Sequence, residues 1–338
     1  MAQGDDMTRR QKRIPIEKVS EFVQDGDRVW LGGWTVVRKP FAMAYELIRA
    51  GKKSLHLVNN PGGPETDLLI GCGCAAKSET NYIGHEIFGH PYNFRRRFEQ
   101  PETNKGFRHD DWTVATGSLR IMAGAMGIPF IPTKFLRGSD ILNPDMDGFQ
   151  DLRGVDPKVP KRKFMMLKDP FWEGEEVVLI PSIRPDVCLI HAQEAGEDGT
   201  VRITGGVFLD YYAAVAAKVT IVSAEKIVPK EALEATREEN AIPGEAVDAV
   251  VEVPFGAHPT AVHGCYDNDP WWFRDYLKAS KSEEAMQKWA DEWIFAPGSF
   301  KGYLEKVGSR RLGKITADPK LFYSATIKRR LDKLAEVP

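Results

Sequence analysis

Short β-branched runs alternate with helix-period segments along most of this chain, and that alternation restricts the fold more than any other feature. Ile16, Val19, Phe22 and Val23 fall on one helical face, and Asp25-Gly26-Asp27 ends that segment. Arg28 to Leu31 reads as a strand stopping at Gly32-Gly33. Phe41 to Ala50 then reads as a helix with Phe41, Ala44, Tyr45 and Ile48 inward, closed by Gly51. Leu55 to Val58 is a further strand, running into Asn59-Asn60-Pro61-Gly62-Gly63-Pro64, and a helix starts around Asp67 to Ile70.

The same alternation resumes later. Leu119 to Met126 is helical, and Ile128 to Pro132 is a short buried strand or turn. Gly138 to Lys163 is a long excursion rich in Gly, Pro and Asp. Strands follow at Val177 to Pro181, Val187 to Ala192, Val219 to Ser223 and Val247 to Val253, with a helix at Tyr211 to Lys218. The pattern predicts an α/β fold: an open, mainly parallel sheet flanked by helices. We expect a flexible tail over 1–15, an α/β domain over 16–264, and a helical C-terminal extension over 265–338. The extension carries Trp271, Trp272, Phe273, Tyr276, Trp289, Trp293 and Phe295 among many charges, so it should pack on the domain or on a partner chain.

Composition narrows the function classes. With 46 basic against 48 acidic residues the formal charge is −2, which gives no drive toward nucleic-acid backbones. No apolar run nears the ~20 residues that span a bilayer, so no membrane partner is expected. The polar first fifteen residues lack the apolar core of a secretory signal. Cys72, Cys74, Cys188 and Cys265 include one C-x-C pair and no second pair at zinc spacing. Reduced thiols in a cytoplasmic protein, with no metal, are expected.

Four segments carry a more specific signal. The first is Leu31-Gly32-Gly33-Trp34-Thr35-Val36-Val37-Arg38-Lys39-Pro40 after Asp25-Gly26-Asp27. The second is Lys158-Val159-Pro160 to Lys163-Phe164, followed by Pro170-Phe171 and Gly174-Glu175. The third is Arg184-Pro185-Asp186-Val187-Cys188-Leu189-Ile190-His191-Ala192-Gln193, with Asp198-Gly199-Thr200 and Gly205-Gly206. The fourth is Ile242-Pro243-Gly244 with Val247 to Val251 and Gly256-Ala257-His258-Pro259. In this order, over about 300 residues, they resemble the A (alpha) subunit of family I coenzyme A transferases, with the glutaconate branch nearest.

The resemblance implies transfer of CoA from an acyl-CoA to a free (di)carboxylic acid, with no cofactor beyond CoA as substrate. In the family a glutamate attacks the thioester, forming an acyl anhydride and then a glutamyl-CoA thioester. That glutamate belongs to the B (beta) subunit, so no catalytic residue is expected in this chain, and an αβ or α2β2 partnership is. Relatives on the same scaffold act as acyl-CoA hydrolases or decarboxylases, and a non-catalytic acyl-CoA-binding protein is a third reading. One hydrolase branch places an acid on its alpha-type chain. The corresponding stretch here, Thr113 and Val114, has none, although Asp110 and Asp111 lie just upstream.

Individual residues carry competing readings. Gly32 and Gly33 are expected to bring backbone N–H groups to a substrate oxyanion, or simply to make a tight turn. Arg38 and Lys39 offer charge for a substrate carboxylate, or are surface residues. Arg95-Arg96-Arg97 is the densest basic cluster. Adjacent helical residues diverge by ~100°, so Arg96 and Arg97 are the candidates for a distal carboxylate or CoA phosphates, against a solvated helix face. His191 and Gln193 end a buried strand, where α/β sheets place ligands, and His258 follows Gly256. All three are expected as supporting residues behind the site or as packing. Glu194 reads as scaffold or as a supporting residue behind the site. His85, Glu86 and His90 lack metalloprotease spacing and lie between glycines, as in a loop.

Overall fold

The computed structural model describes residues 12–327, apart from 101, 103 and 105. Seven parallel strands form the spine of the main sheet. They run in the order β12 (Ala249–Glu252), β10 (Val219–Val228), β8 (Val187–Gly196), β1 (Arg28–Leu31), β2 (Leu55–Val58), β3 (Ala75–Thr80) and β4 (Arg108–Asp111). The second half of β8 also pairs antiparallel with β9 (Val201–Arg202), which pairs with β11 (Asn240–Ile242). An open parallel sheet with helices on both faces is the architecture that the alternation predicts.

Each face has its own core. On one, α1 (Phe41–Arg49) and α2 (Pro64–Gly71) pack with the C-terminal helices α7 (Pro270–Ala279), α8 (Glu283–Ala290) and α9 (Phe300–Val307). Trp272, Phe273, Tyr276, Trp289 and Tyr303 are buried there beside Phe41 and Tyr45, with Trp272 edge-on to Phe41 at 5.4 Å. The extension thus packs on its own domain. On the other face α4 (Val114–Ala125) and α5 (Asp210–Ala216) cover the sheet through Ile121, Ala213 and Ala214.

Three expectations need correction. Residues 12–14 are not part of a free tail: Val250 N–H donates to Lys12 O and Ile14 N–H to Val250 O, both at 2.9 Å, seating the segment along β12. Residues 1–11 of that tail lie outside the described residues. The run Ile128 to Pro132 is not buried. Its strand β5 (Phe130–Thr133) leaves Phe130 51% exposed, and it joins β7 (Glu176–Pro181) and β6 (Met165–Lys168) in a separate antiparallel sheet. Pro132 has no N–H for a second neighbour, which suits an edge strand. The strand read at Val177 to Pro181 is the middle of this small sheet. Among the described residues no helix is long and apolar enough to cross a membrane.

Candidate active site at the strand ends

In a parallel sheet the loops leaving the carboxyl ends of the strands converge, and ligands bind there. β1 ends at Leu31, and the segment behind it turns within a few residues. Gly32 N–H donates to Leu189 O at 2.8 Å, still in the sheet ladder. Gly33 takes a left-handed φ of 74°, and a Cβ there would lie 2.4 Å from Val37 O, so only glycine fits. Trp34 and Val37 then close a tight turn through Trp34 N–H to Val37 O at 2.9 Å and Val37 N–H to Trp34 O at 2.7 Å. Thr35 within it has φ 41°, and Arg38 after it has φ 52°.

Arg38 is 1% exposed. Its Nη1 donates to His191 O at 2.7 Å and to Asp210 Oδ2 at 2.9 Å, and its Nη2 donates to Gly206 O at 2.7 Å. The other oxygen of Asp210 accepts the Gly33 N–H at 2.9 Å. One buried aspartate, on the first residue of α5, therefore holds both ends of the turn. Phe208 lies over it, stacked on Trp34 at 5.4 Å and with its ring 5.6 Å from the Arg38 guanidinium carbon. Lys39 is fully buried and pairs with Glu65 Oε1 at 3.0 Å, while its Nζ also donates to Leu31 O and Pro61 O.

Two sequence expectations fall on these contacts. The N–H groups of Gly32 and Gly33 are not open to an oxyanion, because Leu189 and Asp210 already accept them. Arg38 and Lys39 are not open to a substrate carboxylate, because Asp210 and Glu65 neutralise them inside the protein. Burial of an ion pair of this kind is tolerated only with its hydrogen bonds complete, and breaking it leaves an uncompensated charge.

Behind the turn lies a second buried network. His191 Nδ1 is 2.8 Å from Ser223 Oγ, and Nε2 is 2.7 Å from Glu225 Oε1. Glu225 also accepts from Tyr266 OH at 2.6 Å and Phe255 N–H at 2.7 Å, which ties β10 to the loop after β12. Gln193 Nε2 donates to Thr204 O and His263 O. His258 sits further off, between Asp269 Oδ2 at 2.9 Å and Tyr303 OH at 2.6 Å. Burial pushes its proton affinity below the ordinary histidine range. The chain through His191 reaches the Arg38 cluster directly, whereas His258 anchors the C-terminal helices.

Arg96 and Arg97 are elsewhere. They lie on α3 (Tyr92–Glu99), where Arg96 Nη1 donates to Ser280 O at 2.8 Å and Nη2 to Asn93 Oδ1 at 2.6 Å, and Arg97 pairs with Glu283. Their expected contact with substrate is replaced by a seam that fastens α7 and α8 to the domain. His85 is buried 3.7 Å from Asp67. Glu194 pairs with Arg202 at 3.6 Å. Thr113 caps α4, and Asp110 is buried against Lys163 and Arg153.

The profile of the coenzyme A transferase family matches residues 12–253. The chain belongs to the coenzyme A transferase family. It is 36% identical over 308 residues to the alpha-type (A) chain of glutaconate CoA-transferase from Acidaminococcus fermentans, covering 91% of this chain and 95% of that one. It is also 36% identical over 292 residues to the corresponding chain of 3-oxoadipate CoA-transferase from Pseudomonas knackmussii, covering 86% and 96%. The crystal structure of the Acidaminococcus glutaconate coenzyme A-transferase superposes with a TM-score of 0.87 over 93% of this chain and 98% of that one. In this CoA-transferase chain, sequence reasoning missed Asp210 and Glu65, the acids that organise the turn. Asp210 is 172 residues from Arg38, and nothing local to either one announces the pair.

Proposed function

We propose that this chain is the A (alpha) subunit of a heteromeric CoA-transferase that moves CoA from an acyl-CoA to a free carboxylic acid, with dicarboxylates as the favoured class. A B-type partner supplies the nucleophilic glutamate. One observation carries this reading. Asp210, Glu65 and Glu225, the acids packed around the strand-end turn, are 1%, 0% and 8% exposed, and each is paired with a cation or a histidine. A carboxylate that is buried and held by such partners cannot approach a thioester, so the attacking oxygen must arrive from outside this cluster.

The chemistry is then divided between the chains. The partner's carboxylate oxygen attacks the thioester carbonyl, the carbonyl pair moves onto oxygen, and its return expels the CoA thiolate to leave an anhydride. The thiolate attacks the glutamyl carbonyl, releases the first acid and forms the glutamyl-CoA thioester. The second acid then reverses both steps. No electron is gained or lost and no water is consumed, so the reaction needs no cofactor. This chain holds the strand-end turn rigid, which favours a fixed geometry at the developing oxyanion. The two-chain make-up that its relatives' names imply supports the partner, and a charged CoA ester that does not cross bilayers unaided favours a cytoplasmic location.

The test is co-expression with a B-type chain, followed by incubation with an acyl-CoA and a labelled free acid. Label appearing in acyl-CoA supports the transferase. Loss of thioester without a new acyl-CoA indicates hydrolysis, and release of CO2 indicates decarboxylation; either outcome overturns the reading.

A further inference from the structure

The Trp34–Val37 turn contains two backbone donors with no acceptor. Every other N–H from Gly32 to Lys39 is taken: Gly32 by Leu189 O, Gly33 by Asp210, Trp34 and Val37 by each other, Arg38 by Ala261 O, Lys39 by Thr260 Oγ1. Among the described residues, neither the Thr35 nor the Val36 N–H meets an acceptor in this chain. Both residues are nearly buried, at 4% and 9% exposure. The central N–H groups of a four-residue turn point away from its closing hydrogen bonds, so both donors are left for an acceptor outside this chain.

The backbone around them is held against its own preference. Thr35, a β-branched residue, sits at φ 41°, a conformation such residues avoid at a cost of about 1–3 kcal/mol. Arg38 at φ 52° closes the same turn, locked by Asp210, and Trp34 is pinned by Phe208. Successive N–H groups in a turn that mixes left-handed and ordinary φ values form a concave anion-binding cradle. This one stands at the carboxyl end of β1, in the middle of the parallel sheet.

We propose that the Thr35 and Val36 N–H groups are the oxyanion donors that this chain contributes to the shared active site, with Asp210 and Arg38 as positioning residues that hold the turn. The inference rests on the transferase reading above. When the partner's carboxylate adds to the thioester, the carbonyl carbon–oxygen π pair becomes a lone pair on oxygen, and these two donors stabilise that negative charge. When the tetrahedral centre collapses the pair returns, the carbon–sulfur bond breaks and the thiolate leaves. No proton moves in either step, so preorganised dipoles are the appropriate catalyst.

The experiment uses the assembled two-chain enzyme and deletes one donor. Val36 is outside the positive-φ residues, so Val36→Pro removes the N–H while adding a ring beside Thr35, and Val36→Ala is the control that keeps the N–H. A second variant replaces the residue-36 amide by an ester, using the α-hydroxy analogue of valine, which removes the same N–H without a ring. We expect kcat to fall about 100-fold in both donor-deleted enzymes, with KM for acyl-CoA within about threefold of Val36→Ala. The melting temperature and recovery of the partner should match the control. If Val36→Pro does not assemble, the ester variant decides. A kcat within about threefold of the control in the assembled ester variant overturns the cradle while leaving the transferase reading intact. A wild-type complex that exchanges no CoA overturns the transferase reading and the cradle with it.

Discussion

Two pairs of neighbouring basic residues, Arg38–Lys39 and Arg96–Arg97, look alike in the sequence and do different work. The first pair stands just before α1 and is driven wholly inside, where Asp210 and Glu65 neutralise it and the backbone carbonyls of Leu31, Pro61, His191 and Gly206 accept further hydrogen bonds from it. The second pair lies on α3 and reaches across to Ser280 and Glu283, so that its charges stitch one part of the fold to another at a partly exposed seam. Neither pair is a ready hand for a substrate. The difference is in what each restrains: the inner pair fixes the shape of a strand-end turn, and the outer pair fixes the position of helices.

The contrast breaks most readily at Asp210. Asp210→Ala leaves the Arg38 guanidinium buried without its counter-charge and frees the Gly33 N–H, and the expected loss is about 3–5 kcal/mol in urea unfolding. A loss below about 1 kcal/mol, as for an exposed pair, would show that the turn is not locked in this way.

Acidification gives a smaller effect per ring, at His109, which packs against Phe94 and Phe98 of α3. Burial lowers His109 from 6.5 to about 4, so the folded protein keeps the ring neutral while the unfolded chain protonates it below about 6.5. This ring's contribution to stability should therefore fall by about 3 kcal/mol as pH drops from about 6.5 to about 4 and be constant below. His56, also lowered to about 4 by burial, adds in the same direction. Unfolding midpoints for wild type and His109→Gln across that range check the slope, which should be shallower in the variant.

The smallest effect is expected at the seam. Arg97→Ala should cost about 1 kcal/mol and leave kcat of the assembled enzyme unchanged, because Glu283 is nearly half exposed and its pairing with Arg97 joins α3 to α8 rather than to the turn. Hydrogen exchange should rise in α7 and α8 only. A large rise in KM for the acid substrate would instead restore Arg97 to the binding site.

The apolar strands β1, β2, β8 and β10 were legible because burial on both faces demands unbroken β-branched runs. β3 and β4 were not, since Ala75–Thr80 and Arg108–Asp111 are polar. Their Glu79, His109 and Asp110 are buried beside partners that other segments bring: Arg120 for Glu79, Ser78 of the neighbouring strand for His109, and Lys163 for Asp110. The site shows the same limit. Gly33 advertised its turn, but Thr35 and Arg38 adopt positive φ without being glycine, so the shape of the loop between them had no signature. The direction of the Arg38 and Lys39 side chains depended on acids that only the fold brings near.

The division of labour itself is tested most directly by finding which chain carries the covalent intermediate. The assembled enzyme is incubated with acyl-CoA in the absence of acceptor acid, and each polypeptide is weighed intact by mass spectrometry. We predict that the mass of CoA, joined as a thioester, appears on a glutamate of the partner chain and never on this one. The same adduct on a carboxylate of this chain would contradict the account.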